Sequence, residues 1–504
     1  AWVVRRGVFL GSGRLVLGLS QWLGGLIGFG YSVLVLLCLL TALFRKREPS
    51  HALGWALAIV FLPVVGPLAF LLFGWNKVSR KLSLKQGHHA SMQERLEALF
   101  RELSDNVGDV HESDERSDRW GGLQKILDNM SEHAVGRCRK GNRVQLYTTG
   151  IEAFEDMGEA IRAAKESVHV EFFIFRGDEV GTQAIDLLIE KVREGVEVRL
   201  IVDALGSFSG LRNIRRLRDA GGKVASFLPL FFGAKWASPN LRNHRKTIIC
   251  DGRVAFFGGL NVANEYLGHW WQKNRDWYDL HMRMEGPSVW DMQWMFVEDW
   301  DYCTEEFLGS PRYFPPQEAV GDATAQVIWG GPDTRPNPIR QAFFAAFARA
   351  QRSIHVASPY LVPDLALREA LESAARSGVE VHIVTQGSPP DKWWPYFCGW
   401  YYCEELIEAG VHVHSYLPGM MHAKAIAVDG EWAMLGTANL DNRSMFLNFE
   451  QMTIFDRATE ALEIEGAIRG LFEHSQERTL EDLSGKAWYE KLLIRTSRLL
   501  SPLL

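Results

Sequence analysis

The chain carries one polar pattern twice, and this duplication limits what it can fold into more than any other feature. Residues 244–261 read HRKTIICDGRVAFFGGLN, and residues 422–439 read HAKAIAVDGEWAMLGTAN. Both segments follow H-x-K-x4-D-x6-G-[GT]-x-N, with corresponding residues 178 positions apart. Two matches of this length predict two similar halves rather than a chance repeat.

The segments before each pattern are also similar. AKESVHVEFFIF at Ala164–Phe175 resembles AQRSIHVASPYL at Ala350–Leu361, and REGVEVRLIVDA at Arg193–Ala204 resembles RSGVEVHIVTQG at Arg376–Gly387. In each half a helical stretch leads to a strand, a second helix and strand follow, and then the His-Lys strand. This alternation predicts an α/β sandwich with outer helices and two halves related by a pseudo-twofold axis.

The His and Lys of each pattern lie two residues apart on a predicted strand, so their side chains share one face. A buried His or Lys costs free energy unless its charge is compensated, which argues for a function at this position. The candidate catalytic and substrate-binding residues are His244, Lys246, Asp251 and Asn261 in the first half, and His422, Lys424, Asp429 and Asn439 in the second.

These side chains suit a negatively charged tetrahedral phosphate. Lysine supplies positive charge, and asparagine supplies amide donors for the phosphoryl oxygens. Two imidazoles on opposite sides of one phosphorus suit a double displacement, in which one attacks and the other protonates the leaving alkoxide and later deprotonates the acceptor. Because the lysines neutralise the phosphate, the pattern demands no metal and no other cofactor.

The attacking imidazole must be neutral and correctly oriented, which predicts a carboxylate at its other ring nitrogen. Asp279 in RDWYDLHMRMEGP and Glu450 in LNFEQM are the candidates for the two histidines. Asp276 and Glu265 are the reserve candidates.

The two patterns resemble the HKD signature of the phospholipase D superfamily. The flanking segments resemble bacterial cardiolipin synthases, and the similar stretches are NHRKTIICDGRVAFFGGLN, DLHMRMEGPSV, SPYLVPD, GTANLDNRSMFLNFE, the terminal SPLL and the N-terminal LPVVGPLAFLLFG. The resemblance covers nearly the whole chain after about residue 20. Gly259 departs from the family, which often has serine there.

The resemblance implies a two-step phosphatidyl transfer. One His attacks phosphatidylglycerol, glycerol leaves, and a hydroxyl of a second phosphatidylglycerol then displaces the histidine to give cardiolipin. By family likeness His244 is the nucleophile and His422 the acid and base, but the near symmetry of the patterns also allows the reverse. The lysines and asparagines would hold the phosphoryl oxygens, whereas Asp251 and Asp429 would act through the structure of the strand ends.

Two other functions fit the same residues. A phospholipase D-type hydrolase, or another phosphodiesterase such as a nuclease, would pass the phosphoryl group to water. A catalytically silent lipid-binding scaffold would keep the fold, but the intact His, Lys and Asn in both halves disfavour it. The net charge of −6 argues against a nucleic-acid partner, because such proteins usually carry a basic surface.

The N-terminal region contains two charge-free apolar runs. Leu23–Phe44 and Ala52–Trp75 are separated by the basic loop RKREPSH. Each run is long enough to cross the hydrocarbon core of a bilayer. Pro63, Gly66 and Pro67 would kink the second helix, which membrane helices tolerate. The runs predict a transmembrane hairpin rather than a cleaved signal peptide or a buried core hairpin.

Basic residues are unevenly distributed about this hairpin. Seven lie on its flanks between Arg5 and Lys85, against three in the loop at Arg45–Arg47. By the positive-inside rule this favours a cytoplasmic body on the cytoplasmic (inner) membrane of a bacterium. Phosphatidylglycerol and other anionic lipids are the expected partners, and the hairpin and the aromatic surface also suggest a homodimer.

Two aromatic, proline-containing segments precede the patterns. Ser226–Asn243 reads SFLPLFFGAKWASPNLRN, and Pro389–Tyr402 reads PPDKWWPYFCGWYY. We expect both to be loops that contact lipid headgroups, with Lys235 and Lys392 near anionic lipids. A helix buried in the core is the alternative.

The sequence thus divides into five predicted segments. They are an interfacial segment at 1–22, the transmembrane hairpin at 23–75, a linker with an amphipathic helix (Glu94–Asn106) at 76–140, a first phospholipase D-like half at 141–320 and a second at 321–504.

Overall fold

The structure is a computed structural model with two separate units, an N-terminal helical unit and an α/β body. The residues it describes are 9–45, 49–74, 123, 125–127, 130, 134–228, 240–267, 276–387 and 390–504. The predicted helix at Glu94–Asn106 and the predicted lipid contact at Lys235 lie outside the described residues.

The N-terminal unit consists of apolar helices. They are α1 (Phe9–Arg45), α2 (Pro49–Phe61), α3 (Val65–Ala69) and a π-helical turn at Phe70–Gly74. Since α1 continues through residues 22 and 23, the predicted interfacial segment and the first predicted span form one helix.

The second apolar run does not form one long helix. Proline lacks an N–H donor and clashes with the preceding turn, so α2 ends before Pro63, and Val64 has a φ of 68°. In the described part of the chain, only Gly24–Phe44 is long and apolar enough to cross a bilayer, and Ala52–Phe61 is a shorter apolar helix. The predicted hairpin is therefore supported only for its first helix.

The body is built from twenty strands and eleven helices within the described ranges. The strands are β1 (Arg139–Tyr147), β2 (Ser167–Phe172), β3 (Glu197–Asp203), β4 (Lys223–Phe227), β5 (Arg242–Asn243), β6 (Lys246–Cys250), β7 (Val254–Gly258), β8 (Asp276–Tyr278), β9 (His281–Glu285), β10 (Ala323–Gly330), β11 (Ser353–Ala357), β12 (Leu361–Val362), β13 (Glu380–Gln386), β14 (His412–Tyr416), β15 (Gly419–Met421), β16 (Ala425–Val428), β17 (Trp432–Gly436), β18 (Leu440–Asp441), β19 (Asn448–Phe455) and β20 (Ser475–Glu477). The helices are α4 (Gly150–Ala163), α5 (Glu179–Arg193), α6 (Leu211–Asp219), α7 (Val289–Thr304), α8 (Pro338–Arg349), α9 (Leu365–Arg376), α10 (Trp393–Glu408), α11 (Asn442–Phe446), α12 (Ala458–Gly470), α13 (Leu480–Ser484) and α14 (Trp488–Ser497).

The main sheet repeats one arrangement outwards from its centre. Its order is β4-β3-β2-β6-β7-β9-β1-β10-β19-β17-β16-β11-β13-β14-β20. β1 and β10 pair at the centre, and each half continues with three antiparallel neighbours and then three mutually parallel strands. The predicted duplicated α/β fold is confirmed.

Each half has its own hydrophobic core, which ends where the polar pattern begins. On β6, Lys246 shares its face with Ile248 and Cys250, and both apolar residues belong to the core of the first half. Ile426 and Val428 occupy the same places on β16 in the second half. Each strand is therefore anchored by apolar packing, which also holds the polar residues at its start in position.

The segment Pro389–Tyr402 is mainly helical rather than a loop. α10 begins at Trp393, and its third residue is Pro395. Proline is tolerated in the first turn of a helix, where the N–H groups have no partner within the helix. Cys398 and Trp400 are buried, whereas Trp393 is exposed, so the alternative of a helix buried in the core holds for one face of α10 only.

Candidate active site

Each motif histidine is held in place by the opposite half of the body. β5 pairs with the start of β19, and the N–H of His244 donates to the carbonyl of Phe449 at 2.8 Å. In the same way β15 pairs with β8, and the N–H of His422 donates to the carbonyl of Tyr278 at 2.7 Å. A predicted carboxylate directly follows each carbonyl residue in the chain, so the same pairing brings it to the histidine.

The two predicted carboxylates cross between the halves. His244 Nδ1 lies 2.9 Å from Glu450 Oε2, and His422 Nδ1 lies 2.7 Å from Asp279 Oδ2. All four side chains are buried. Because both Nδ1 atoms are engaged, Nε2 is the ring nitrogen that each histidine can offer to a substrate.

Aromatic rings fix the orientation of both imidazoles. Phe173 packs edge-on against His244, with ring centroids 5.0 Å apart. Trp277 and Tyr266 pack against His422 at 5.3 and 5.7 Å. Contacts on the ring faces and edges, added to the Nδ1 hydrogen bonds, leave each imidazole little freedom to rotate.

The two motif lysines are buried beside the histidines. Lys246 and Lys424 each donate from Nζ to the backbone carbonyl of the histidine two residues earlier. Burial disfavours the charged form and lowers the pKa of Lys246 to about 7 and that of Lys424 to about 8. A bound phosphate would favour the charged form of both lysines.

The His244–Glu450 pair is a neutral imidazole beside a carboxylate. Burial lowers the pKa of His244 to about 4, although Glu450 opposes this shift. Burial also raises the pKa of Glu450, but His244, Lys246 and a hydrogen bond from Thr437 outweigh it, so the pKa ends below its ordinary value. His244 Nδ1 also lies 3.1 Å from the carbonyl oxygen of Thr437. A carbonyl only accepts, so Nδ1 carries the hydrogen and Nε2 carries a lone pair.

The His422–Asp279 pair differs from the other pair in the direction of the pKa shift of its carboxyl group. Burial raises the pKa of Asp279 to about 7, although Lys424 opposes this shift. Burial, together with the charges of Lys424 and Lys246, lowers the pKa of His422 well below its ordinary value. Both shifts favour a neutral carboxyl beside a neutral imidazole over an ion pair; in that form the carboxyl donates to Nδ1 and the ring hydrogen lies on Nε2.

The difference between the two carboxylates has a local cause. Glu450 accepts hydrogen bonds from Thr437 Oγ1 at 2.7 Å, Ser444 Oγ at 2.9 Å and Asn448 Nδ2 at 3.1 Å. Donors of this kind stabilise the ionised form.

Asp279 has the equivalent place but fewer donors. Its Oδ1 accepts from the N–H of Leu280 at 2.8 Å. The residue that corresponds to Thr437 is Gly259, where an added Cβ would lie 1.9 Å from Asp279 Oδ1. Glycine at this position therefore makes room for the carboxyl group and removes a hydroxyl donor from it.

The two asparagines of the patterns are buried at corresponding positions. Asn261 donates from Nδ2 to Tyr266 Oη at 2.6 Å and accepts from the N–H of Ile174 at 3.1 Å. Asn439 donates from Nδ2 to Asp441 at 3.2 Å. Each amide nitrogen has a second hydrogen, so one donor on each remains for a phosphoryl oxygen.

The two aspartates of the patterns lie at the opposite ends of their strands from the histidines. Asp251 accepts from the N–H groups of residues 165–167 at 2.8 to 2.9 Å. Asp429 accepts from those of residues 351–353 at 2.6 to 3.0 Å. Their φ angles are 52° and 58°. Both were counted among the catalytic candidates, but they contact the backbone before β2 and β11 rather than the histidines.

We expect Asp429→Ala to destabilise the fold instead of blocking the chemistry. Losing three hydrogen bonds to a charged acceptor and placing alanine at positive φ should lower the free energy of unfolding by about 3 to 5 kcal/mol. Asp429→Asn, which keeps one acceptor and tolerates this φ, should lose about half as much. Thermal unfolding of both variants and of Asp251→Ala measures this. Unchanged stability with lost turnover would instead assign Asp429 to the chemistry.

Several residues near the site were missed from the sequence. Tyr266 and Ser444 each lie five residues after a motif asparagine. Tyr266 contacts His422, and Ser444 donates to Glu450. This common offset was the available signal. Of the reserve carboxylates, Glu265 pairs with Arg176 at 2.8 Å, away from the histidines, and the side chain of Asp276 lies outside the described residues.

The residues that the structure describes form no metal centre. Within those ranges, no group of three or more His, Cys, Asp and Glu side chains could hold a metal ion.

Comparison with known proteins identifies the family. The family model described as "Cardiolipin synthase, PLD-like domain" matches residues 157–277 and 343–472, one segment in each half. The model described as "Phospholipase_D-nuclease N-terminal" matches residues 33–75. The cardiolipin synthase of Geobacillus kaustophilus is 36% identical over 497 residues, which cover 96% of this chain and 95% of that protein. The chain belongs to the cardiolipin synthase family.

A second relative agrees with this membership. The cardiolipin synthase of Alkalihalophilus pseudofirmus is 34% identical over 96% of this chain and 95% of its own length. The crystal structure of phosphatidylserine synthase from Haemophilus influenzae Rd KW20 has a TM-score of 0.59 at 16% identity, covering 77% of this chain and all of that one, and shows the shared fold. The predicted membership of the phospholipase D superfamily, with two repeated halves, is confirmed.

Membrane association is suggested by the family and by one apolar helix. The N-terminal family match covers residues 33–75, and Gly24–Phe44 is an apolar helix long enough to span a bilayer. Cardiolipin synthases act on membrane phospholipids, so an apolar anchor suits the family.

Proposed function

We propose that the chain is a phosphatidyltransferase that converts two molecules of phosphatidylglycerol into cardiolipin and glycerol. The observation that carries this proposal is the crossed arrangement of the site, in which each HKD histidine bonds to a carboxyl group of the opposite half. Two differently protonated imidazoles within one body supply both a nucleophile and an acid, as a double displacement requires.

In the first step His244 is the nucleophile. Its Nε2 lone pair attacks the phosphorus of phosphatidylglycerol, and the bond from phosphorus to the glycerol oxygen breaks. His422 gives its Nε2 proton to that oxygen while Asp279 passes its own proton to His422 Nδ1. Glycerol leaves, Glu450 stabilises the positive phosphatidyl-imidazole, and Asp279 is left ionised.

The second step reverses these transfers with a new acceptor. A glycerol hydroxyl of the second phosphatidylglycerol gives its proton to Nε2 of His422, whose Nδ1 proton returns to Asp279. The hydroxyl oxygen attacks phosphorus, the bond to His244 Nε2 breaks, and cardiolipin forms. The motif lysines and asparagines hold the phosphoryl oxygens through both steps.

The products of purified full-length protein test the proposal. With phosphatidylglycerol labelled in its headgroup glycerol and its acyl chains, we expect equal amounts of cardiolipin and free glycerol. Phosphatidic acid in place of cardiolipin would identify a hydrolase, and the absence of any product would identify a silent scaffold. A double variant of His244 and His422 to Asn is the control for contaminating activity.

We infer that the protein is a multi-pass protein of the bacterial cytoplasmic membrane with its body on the cytoplasmic side. The excess of basic residues on the flanks of the apolar region supports this orientation, and the apolar helix Ala52–Phe61 supplies part of a second pass. Phosphatidylglycerol is the proposed lipid partner, and a homodimer stays a prediction.

A further inference from the structure

The last helix of the chain exposes an apolar face to solvent. In α14, Ile494 and Ser497 are buried, whereas Trp488 and Leu492 lie on the opposite side of the helix. Leu499, in the 3₁₀ turn that follows, continues the same line. We call Trp488, Leu492 and Leu499 the C-terminal apolar ridge; they are 76%, 54% and 74% exposed.

The ridge is firmly supported from behind. Ile494 packs with Trp400 of α10 and Leu483 of α13 in one small apolar cluster. The helix is therefore already packed against the body through its inner face, and the ridge side chains are not needed for that packing. A helix whose inner face is already buried and whose outer face is also apolar has a surface for a partner.

The surroundings of the ridge are basic. Residues 486–504 contain four basic side chains and one acidic one, within a chain whose net charge is −6. Lys491, Arg495 and Arg498 are exposed beside the ridge, and Arg495 also pairs with Glu404 at 2.8 Å. Tryptophan and leucine on one face with lysine and arginine next to them are typical of helices that lie in the interface of an anionic bilayer.

A second copy of the chain fits this surface less well. In a twofold contact the same patch meets itself, so Lys491, Arg495 and Arg498 of two copies would face one another. An anionic lipid surface accepts the apolar ridge and attracts the basic residues at the same time.

The ridge also connects to the active site. Asn442 donates from Nδ2 to the carbonyl of Ser501 at 3.1 Å, just beyond Leu499. Asn442 follows Asp441, which accepts the hydrogen bond of the motif residue Asn439. The turn that carries Leu499 is therefore hydrogen-bonded to the segment that directly follows the motif residue Asn439.

We propose that the C-terminal apolar ridge docks on the anionic bilayer surface from which the active site takes its lipid. The docking is a peripheral contact of the α/β body, additional to the N-terminal apolar helix. The contact itself is independent of catalysis, and only the kinetic test below rests on the proposed function.

Quenching by brominated lipid tests the contact directly. The full chain with Leu492→Cys, in a Cys303→Ser background, is labelled with an environment-sensitive fluorophore and reconstituted in phosphatidylserine–phosphatidylcholine vesicles. Brominated acyl chains should reduce its fluorescence about twofold. The control is Ser377→Cys, an exposed residue before β13 at the strand ends away from His422. An unquenched label at 492, or cross-linking between copies through it, overturns the proposal.

Kinetics with two physical forms of substrate give a second test. The triple variant Trp488→Ser, Leu492→Ser, Leu499→Ser should raise KM for phosphatidylglycerol in vesicles about tenfold and leave KM for dispersed short-chain phosphatidylglycerol unchanged. The variant with Phe, Ile and Ile at these positions should behave as the wild type. Since the three side chains are exposed, thermal unfolding should not change. Equal KM changes for both substrates, or for neither, contradict the docking surface even if cardiolipin is made.

Discussion

Replacing His422 with asparagine is expected to slow cardiolipin synthesis by about 10²- to 10⁴-fold, the usual contribution of a general acid. The same variant should still release one equivalent of p-nitrophenol from phosphatidyl-p-nitrophenol at nearly the wild-type rate. A nitrophenolate needs no proton to leave, so the attack by His244 suffices. Asparagine can still bond to Asp279, which limits damage to the fold.

His244→Asn is the matched variant and should behave differently. Without the nucleophile, neither phosphatidylglycerol nor the nitrophenyl substrate should react, and no covalent intermediate should form. In His422→Asn the phosphatidyl group should remain on His244, because the base that activates the second hydroxyl is missing. Rapid-quench kinetics and the mass of the peptide containing residue 244 measure both effects. The opposite pattern would exchange the two roles.

The duplicated sequence pattern was sufficient to predict the α/β fold and two corresponding sets of His, Lys and Asn side chains. A strand with His and Lys at its start and aliphatic residues after them must bury its aliphatic part in a core and place its polar start at the edge of that core. Two such strands predict two similar halves. Asp279 and Glu450 were predictable because a reactive imidazole needs a carboxylate at Nδ1. Which carboxylate serves which histidine was not predictable, since the crossing depends on β5 pairing with β19 and β15 with β8.

The difference in hydrogen bonding between Glu450 and Asp279 could not be predicted, because it depends on irregular segments of the chain. Ser444 donates to Glu450 from the short helix α11 and Asn448 from the first position of β19, and this junction leaves no periodic trace in the sequence. Gly259 was visible as a departure from the family, but its consequence depends on the close approach of Asp279. Residues that repeat can be read from a sequence, whereas the electrostatic asymmetry between them needs the three-dimensional contacts.

Hydropathy and composition led to a wrong prediction of secondary structure in two segments. Ala52–Trp75 is apolar throughout, yet the helix is interrupted at Val64. Apolar composition indicates that a segment avoids water, but it does not indicate whether the backbone hydrogen bonds of one helix continue through it. Pro389–Tyr402 resembles a loop because of its prolines, yet Pro395 lies in the first turn of α10, where a missing N–H costs nothing.

Replacing Glu450 and Asp279, the two carboxyl groups bonded to the histidines, with their amides should separate their proposed roles. Glu450→Gln is expected to lower turnover of both phosphatidylglycerol and the nitrophenyl substrate by about 10³- to 10⁴-fold, as expected when a buried carboxylate that sets a histidine tautomer is lost. A neutral glutamine holds the Nδ1–H of His244 less strongly than a carboxylate does, so the attacking Nε2 becomes less basic. It also removes the charge that stabilises the phosphatidyl-imidazole.

Asp279→Asn should impair only the substrate that needs an acid. The amide still donates to His422 Nδ1, so the Nε2–H tautomer survives, but it has no proton to pass on when the glycerol oxygen leaves. Phosphatidylglycerol turnover should fall about 10²- to 10³-fold, and the release of p-nitrophenol should be close to wild type. Equal losses for both substrates would assign Asp279 a role in orienting the phosphate instead.

The pH dependence gives an independent check on the same carboxyl group. Burial raises the pKa of Asp279 to about 7, so the required proton is present below pH 7 and is lost as the pH rises above it. Lys246, whose pKa burial lowers to about 7, loses its charge over the same range. Lys424, with a pKa of about 8, follows just above this range. The descending limb of log(kcat/KM) for phosphatidylglycerol should therefore be steeper by about one unit in the wild type than in Asp279→Asn, which keeps only the ionisations of the two lysines. Identical slopes would mean that Asp279 holds no proton in the reactive state, and the acid would then have to be an imidazolium at His422.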